Sequence, residues 1–416
     1  MAVSEEPRSS GRAASENHLI NAIRTLAAFA VLAGHIRMFF FRDYLTVPHN
    51  PAAQLGYTFA SLGGEAVLVF FALSGYWVGG AVLDKCRTGQ FVIREYLTAR
   101  LTRLWIVVLP ALALTFCVDR AGMTFFGTAD VYANPTAHTG KPFTHAPHVL
   151  LGNIFFVQDL HVPVFGHDYP LWSLSYEFWF YCIFGAVTVL VVGRQRRTRL
   201  LALAVVAVGS VIAGGPVLEL FPAWLIGVGA AALKPQAVRW AARSTVRRIR
   251  FVRRVSVGAL LVVMAGTHLA AAPLQISGVL IGAATAVLLW TLITDVTKPP
   301  GRAVRVANRL AGCSFSLYAI HMPVVVLAAA VLVPHYGQRW ELAGPAGLFL
   351  IPACAVVALL AMGFARLTED QTARVRRRLQ ARPGMRVQEL RRPVDGSSRL
   401  GRLPRQRTEP RRPVKR

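Results

Sequence analysis

The sequence predicts an all-α protein, a polytopic bundle of about ten transmembrane helices with both termini in the cytoplasm. The first reason is composition, because the 416 residues are 54% apolar and have a mean hydropathy of +0.45. The second is that the apolar residues come in blocks of roughly 20, the length that a helix needs to cross a bilayer. The third is that the basic residues fall in alternate loops, which fixes an orientation.

Each apolar block predicts one span. The expected spans are 19–41, 58–83, 96–118, 170–192, 200–213, 217–233, 255–272, 275–295, 313–333 and 345–366. Spans five and six form a tight pair around Gly214. The long connection 119–169 contains an apolar stretch, 147–158, which is too short to cross the membrane and is therefore predicted to be re-entrant or interfacial.

The charge distribution predicts the topology. The net charge is +26, with 46 Lys and Arg against 20 Asp and Glu. The basic loops are 85–94, 194–199, 234–254 and 298–309. The opposite set of loops contains only Arg42, Arg120, Lys141 and Arg339, so the basic set and both termini are predicted to be cytoplasmic. Basic residues in short loops indicate topology and attraction to anionic lipids rather than a nucleic-acid partner.

The chain divides into three parts. Residues 1–16 are predicted to be a disordered tail, 17–370 the membrane-embedded domain, and 371–416 a basic cytoplasmic tail. The five cysteines are scattered singly and give neither a metal-binding spacing nor a disulfide framework. No metal site is predicted, since the histidines of the long loop are irregularly spaced. That loop (His138, His145, His148, His161, His167) is interpreted as solvated and close to an acceptor entrance.

The first span carries two ionisable residues, Arg24 and His35. Eleven positions correspond to about three helical turns, so both side chains leave nearly the same face, roughly 16 Å apart along the axis. Ionisable residues inside a span usually face a cavity or the interior of the bundle. The pair therefore predicts a polar track from one membrane surface inward. The alternative is that Arg24 is a positive-inside anchor and His35 a packing residue.

Counting residues from the predicted span ends places four polar side chains near the cytoplasmic face. Arg24, Ser74, Arg100 and Arg103 all lie within about 10 Å of that face at 1.5 Å per residue. Arginine binds phosphate bidentately, so the cluster predicts a site for a phosphate-bearing ligand. The simpler alternatives are that Arg100 and Arg103 are topology anchors and that Ser74 is a small residue for helix packing.

The same counting places a histidine and a carboxylate higher in the membrane. His35 and Glu177 are expected at a common level about 24 Å from the cytoplasmic face, and His321 at about 12 Å. A histidine beside a carboxylate predicts a general base, with the carboxylate holding its tautomer. Glu177 as a structural partner of an arginine, and His321 bonded to a backbone carbonyl, are the alternatives.

Five segments, taken in order, carry a resemblance to the acyltransferase 3 family of membrane O-acyltransferases. They are Arg24 to His35 with ten residues between, FFALSGY (70–76), RLTR (100–103), PLWSLSYEFWFY (170–181) and SFSLYAIHMPV (314–324). They resemble the family's Arg-x10-His, FFxLSGF, Arg-x-x-Arg, PLWSLxxExxFY and SxSLYxxHxPV. The resemblance spans about 17–370. Asn21 and Leu68 depart from it, because acidic residues are common at both places in the family, and Glu65, one turn before Leu68, would substitute for the second.

The resemblance implies transfer of an acyl group, often acetyl, from cytoplasmic acyl-coenzyme A to a hydroxyl. The acceptor would be a sugar of a cell-surface glycan, a lipid-linked sugar or a small product such as a macrolide. His35 and Glu177 would be catalytic, and Arg24, Arg100 and Arg103 would bind the donor. The supporting residues would be Ser74, Trp172, Ser173 and His321. No cofactor would be bound, and the protein would be a multi-pass protein of the inner (plasma) membrane.

Two hypotheses from other classes remain beside the enzyme. A transporter or flippase would use the same ionisable track for protons or a glycan carrier. A membrane protein that recruits lipid or partners would use the basic tail and the amphipathic segment 234–254. The enzyme hypothesis itself leaves two routes open, because His35 either deprotonates the acceptor hydroxyl or carries the acyl group transiently.

Overall fold

The computed structural model describes residues 8–46, 51–136, 140–292, 302–335, 339–342 and 345–380, and these are almost entirely helical. The helices of this part of the chain are α1 (Arg8–Phe40), α2 (Pro51–Ser61), α3 (Gly63–Arg87), α4 (Ile93–Phe126), α5 (Asp130–Ala133), α6 (Pro147–Ile154), α7 (Trp172–Val192), α8 (Arg196–Ala232), α9 (Lys234–Ala242), α10 (Val246–Leu269), α11 (Leu274–Leu292), α12 (Arg302–Gly312), α13 (Ser314–His335), α14 (Leu350–Leu367) and α15 (Thr372–Gln380). The all-α class is confirmed.

Eight helical segments of the described chain are long and apolar enough to cross a membrane. They are His18–Phe40, Gly63–Arg87, Ile93–Phe126, Tyr169–Val192, Arg196–Ala232, Leu274–Leu292, Ser314–Pro334 and Pro345–Gln380. Two helices account for the difference from the predicted ten spans. Helix α8 covers two predicted spans but is one segment, and α10, which covers the predicted span 255–272, is not among the eight. Ten spans, and termini in the cytoplasm, therefore stay predictions.

Helix α8 contains the tight pair that the sequence predicts around Gly214. Gly214 has φ of +72°, a left-handed conformation that glycine adopts without a Cβ clash. Before it, Gly209 lies against the ring of Trp179, which makes the first half antiparallel to α7. After it, the rings of Phe221 and Trp224 pack on α7 in the parallel direction, 5.2 Å from Phe180 and 4.9 Å from Phe184 respectively. The two halves thus run in opposite directions.

Helix α3 lies at the centre of the bundle, packed on α1, α8 and α11. It meets the second half of α8 through two glycines. A Cβ on Gly75 would come 1.9 Å from the carbonyl oxygen of Trp224, and one on Gly227 would come 2.0 Å from that of Ala72. Only glycine permits this approach. The motif LSGY therefore fixes the position of Ser74, which precedes Gly75, against Trp224.

Two boundaries differ from the prediction. The first helix begins at Arg8, so the described part of the predicted N-terminal tail is helical and continues into α1. Residues 8–16 include Ala, Glu and Arg, which favour helix. The second span begins at Gly63, because the turn at Leu62 separates α2 from α3. The structure describes the predicted C-terminal tail only as far as Gln380, and residues 381–416 lie outside the described chain.

Candidate active site

Five helices, α1, α3, α4, α7 and α13, enclose a cavity of about 110 Å³, here called the arginine cavity. It gathers side chains from all five segments that carry the resemblance. The predicted site residues that line it are Arg24, Ser74, Arg100, Arg103, Ser173 and Glu177. The lining contains three guanidinium groups and one carboxylate, so the cavity is electropositive and suits an anionic ligand.

Arg100 and Arg103 are half-buried, one turn apart on α4. Neither guanidinium forms a hydrogen bond or an ion pair with any residue in the described part of the chain. Arg100 lies over the ring of Tyr181, 5.9 Å from its centroid. A partly buried charged fork is stabilised when it gains a partner, so the pair could accept an anion, and phosphate is an anion that fits the fork geometry.

Arg24 has a different environment, because the protein already occupies its donors. Its Nε donates to Ser314 Oγ at 2.8 Å, and a terminal nitrogen donates to the carbonyl oxygen of Ala311. The guanidinium also lies 3.9 Å from Glu369 and 5.5 Å from the ring centroid of Trp77. Arg24 therefore ties α1 to the start of α13, and it adds positive charge to the cavity rather than a free fork.

Glu369 is a residue of this site that the sequence analysis missed. It follows α14 and accepts hydrogen bonds from the backbone and hydroxyl of Ser316, both at 3.1 Å. Its carboxylate offsets part of the charge of Arg103 and of Arg24. A lone glutamate just beyond the last apolar block gives no periodic signal, so only the packing of α13 and α14 reveals it.

Glu177 also lies in the arginine cavity, which corrects its predicted position beside His35. Its Oε1 accepts hydrogen bonds from Ser74 Oγ, at 2.5 Å, and from the hydroxyl of Tyr181. Trp224 Nε1 donates to Ser74 Oγ at 3.2 Å, so Ser74 is a hydrogen-bonding residue as well as a small one. The prediction failed because counting along a helix gives depth only for an untilted span with known ends.

His35 pairs with His321 instead. His35 Nδ1 lies 2.9 Å from His321 Nε2, and the ring centroids are 5.0 Å apart. His321 Nδ1 lies 3.0 Å from the carbonyl oxygen of Leu317 and 2.9 Å from that of Tyr318. Both partners only accept, so Nδ1 of His321 carries the proton and its Nε2 accepts. His35 Nδ1 must then donate, which leaves His35 Nε2 with a lone pair.

Tyr318 connects this histidine pair to the arginine cavity. Its side chain lines the cavity, and its ring centroid lies 5.9 Å from that of His321. Its hydroxyl donates to the carbonyl oxygen of Pro170 at 2.7 Å and accepts from Ser173 Oγ at 2.6 Å. His321 is buried, whereas His35 is partly exposed. Of the two histidines, His35 is therefore the less buried residue.

The comparison with known families agrees with this geometry. The model of the acyltransferase 3 family, described as an acyltransferase domain, matches residues 17–365. The chain belongs to the acyltransferase 3 family. It is accordingly a membrane acyltransferase with several membrane-spanning helices. No curated protein and no solved structure matches the chain. The arginine cavity and both histidines fall inside the matched residues of this acyltransferase, and Glu369 falls just beyond them.

Two residues considered for the acyltransferase site lie elsewhere. Trp172 does not line the arginine cavity, and its ring packs edge-on against Phe71 with centroids 6.4 Å apart. Glu65, the residue considered as a substitute for a missing acidic position, lies 3.1 Å from His268 and also does not line the cavity. Trp172 is thus a packing residue behind the cavity wall, and Glu65 belongs to a separate pair.

The histidines of the long loop separate into different environments. His145 and His167 both contact Asp119, at 3.1 Å and 2.9 Å, whereas His161 contacts the carbonyl oxygen of Ile212 at 2.7 Å. His138 lies outside the described residues. Within the described ranges, no group of three or more His, Cys, Asp or Glu side chains could hold a metal ion.

Proposed function

We propose that this acyltransferase moves an acyl group, acetyl in the simplest case, from acyl-coenzyme A to a hydroxyl of an acceptor. The donor is a co-substrate that enters from the cytoplasm. The acceptor is a sugar of a cell-surface glycan, a lipid-linked sugar or a small product such as a macrolide, and the protein resides in the plasma membrane. The observation that carries the proposal is a tautomer-fixed histidine, His35, linked through His321 and Tyr318 to a cavity whose two α4 arginines have no ion-pair partner among the described residues.

The arginine cavity is suited to bind the acyl donor. Acyl-coenzyme A carries phosphate groups at one end and its reactive thioester at the other. Arg100 and Arg103 would hold phosphate through charge-assisted hydrogen bonds, while Arg24 adds to the attraction without releasing its own partners. Since Arg100 and Arg103 lie in the first turns of α4, the thioester would extend from there toward Tyr318 and the histidine pair.

His35 is suited to act as the general base. His35 Nε2 takes the proton of the acceptor hydroxyl as the oxygen attacks the thioester carbonyl carbon. A carbon–oxygen bond forms, the carbon–sulfur bond breaks, and the coenzyme A thiolate leaves with the proton from His35. His321 stabilises the protonated ring of His35 through the hydrogen bond at 2.9 Å. The route in which His35 Nε2 attacks first and carries the acyl group uses the same lone pair.

The test is turnover by the purified full-length protein in nanodiscs. Acetyl-coenzyme A is supplied with a panel of methyl glycosides and macrolide alcohols, free thiol is measured, and products are identified by mass spectrometry. We expect stoichiometric thiol release and O-acetylated product, both absent from His35→Ala protein. The proposal is wrong if no acceptor in the panel gives product, or if the His35→Ala protein gives as much product as the wild type.

A further inference from the structure

A second cavity lies in the loop region before α7 and is here called the loop pocket. Its volume is about 280 Å³, at the lower limit for ligand sites. The side chains that define its chemistry are Lys141, Phe143, Asp159, His161, His167 and Tyr169. Pro135, Pro142 and Pro163 complete its wall and restrict the backbone, so the pocket is preformed. It shares no lining residue with the arginine cavity.

The charges of the loop pocket cancel. Lys141 Nζ lies 3.0 Å from Asp159 Oδ1, and this hydrogen bond raises the pKa of Lys141. The ammonium also lies 5.8 Å from the ring centroid of Tyr169. A paired cation and anion offer donors and acceptors to hydroxyl groups but no net attraction for an ion. The pocket therefore favours a neutral polar ligand.

A buried histidine supplies a second, independent observation. His167 lines the pocket and is 5% exposed. Its Nδ1 lies 2.9 Å from Asp119 Oδ1, and since a carboxylate only accepts, Nδ1 carries the proton. Its Nε2 is buried and has no hydrogen-bond partner among the residues that the structure describes. Such a nitrogen is costly to leave unsatisfied, and a small shift of Phe143, whose ring lies 4.2 Å from that of His167, would open it to a ligand hydroxyl.

The apolar part of the lining fits the other face of such a ligand. Phe143 and Tyr169 are half-buried in the pocket wall. Their rings offer apolar surface to the carbon–hydrogen face of a sugar ring, while Lys141 and Asp159 present a donor and an acceptor for its hydroxyl groups. The small volume limits the occupant to about one ring.

The loop pocket is also next to the proposed reaction site. Tyr169 lines the pocket and Ser173 lines the arginine cavity, about one helical turn or ~6 Å further along the chain. Between them, the carbonyl oxygen of Pro170 accepts the hydrogen bond from Tyr318. The short segment 169–173 thus separates the two cavities, with the loop pocket on the side that the charge pattern predicts to be external.

We propose that the loop pocket binds one neutral sugar unit of the acyl acceptor. The identification of this sugar as the acyl acceptor rests on the proposed function. Its binding to the loop pocket does not require turnover and can be measured separately. Charged sugars and macrolides are the alternative occupants that the experiment distinguishes.

The experiment measures binding to full-length protein in nanodiscs by saturation-transfer NMR and calorimetry, with and without coenzyme A. The probes are neutral methyl hexosides, methyl 6-deoxyhexosides and methyl N-acetylhexosaminides, with methyl glucuronide, methyl glucosaminide and a macrolide as comparisons. We expect a neutral glycoside to bind more tightly than its charged counterparts. Phe143→Ala and Tyr169→Ala should weaken it about tenfold or more, because each removes an aromatic face from the pocket wall.

Phe155→Ala is the matched control, since Phe155 is an exposed aromatic of the same region outside the pocket. Lys141→Gln adds a variant at an exposed position where misfolding is not expected, and retained coenzyme A binding reports that each variant is folded. The inference is wrong if no neutral glycoside binds, if the charged sugars or the macrolide bind more tightly, or if Phe143→Ala and Tyr169→Ala bind like wild type. Glycoside binding without acetyl transfer would instead contradict only the proposed function.

Discussion

The two cavities differ in whether their cationic side chains are paired with a carboxylate. In the arginine cavity, Arg100 and Arg103 form no ion pair with a described residue, and the carboxylate of Glu177 is engaged by hydroxyl groups. In the loop pocket, Lys141 is paired with Asp159 at 3.0 Å. The first arrangement keeps positive charge available for an anion, and the second removes it. We interpret this difference as a division between a phosphate-bearing donor and a neutral acceptor, with the histidine pair next to the donor cavity through Tyr318.

The largest effect is expected at His35. His35→Gln should lower kcat by about 10²–10⁴-fold, since glutamine cannot take a proton at neutral pH. Donor affinity should stay within about twofold, because the arginine cavity is intact. Steady-state kinetics with acetyl-coenzyme A measure both. His268→Gln is the matched control, because His268 pairs with Glu65 away from both cavities. Near-normal turnover of the His35→Gln protein would make the histidine structural.

His321 should act through His35 rather than on the substrate. His321→Leu removes the ring nitrogen that lies 2.9 Å from His35 Nδ1 and leaves the backbone of Val31 as the other hydrogen-bond partner of His35. The variant should lower kcat by about 10-fold, since one hydrogen bond contributes ~1 kcal/mol. His321→Gln should recover part of the loss, since its side-chain carbonyl accepts the same hydrogen bond. The pH profile of kcat should shift in the leucine variant only. Equal losses in both variants would show that His321 does more than hold the tautomer.

The arginines should control donor affinity. Arg103→Ala should raise KM for acyl-coenzyme A by about 10–100-fold, the equivalent of ~1.5–3 kcal/mol for hydrogen bonds to a charged group. Arg103→Lys should recover only part, because an ammonium replaces a planar fork. A KM unchanged in the alanine variant would reduce Arg103 to a topology anchor.

The smallest effect is expected from the charge balance of the loop pocket. Asp159→Asn removes the carboxylate beside Lys141 and gives the pocket a net positive charge. Binding of methyl glucuronide relative to methyl glucoside should then rise by about fivefold at most, since exposed pairs contribute up to ~1 kcal/mol. The gain should disappear at high salt. If the ratio of glucuronide to glucoside binding stays the same in the Asp159→Asn protein, the charge balance of the pocket does not determine its selectivity.

The helical periodicity of the sequence is sufficient to predict part of the candidate site. Arg24 and His35 were predicted to share a face, and both contact α13, through Ser314 and His321. The reversal at Gly214 was likewise readable from Gly and Pro between two apolar blocks.

Relations between helices were not readable in the same way. Glu177 was expected beside His35, but its position depends on how α7 is offset and tilted against α1 and α3. The same limit hid Glu369 and the connecting role of Tyr318, because their partners lie on other helices. A hydropathy pattern fixes which residues share a helix face and leaves open which faces meet.

The most direct measurement of the central claim is a comparison of two ligands on three proteins. Binding of coenzyme A and of pantetheine, which lacks the nucleotide and its phosphates, is measured by calorimetry on wild type and on the Arg100→Gln, Arg103→Gln double variant. Arg120→Gln, a change at an exposed arginine near the other end of α4, serves as the control. We predict that wild type and control prefer coenzyme A by about 10–100-fold or more, and that the double variant loses most of this preference. An equal preference in all three proteins would contradict the assignment of the arginine cavity to the donor phosphates.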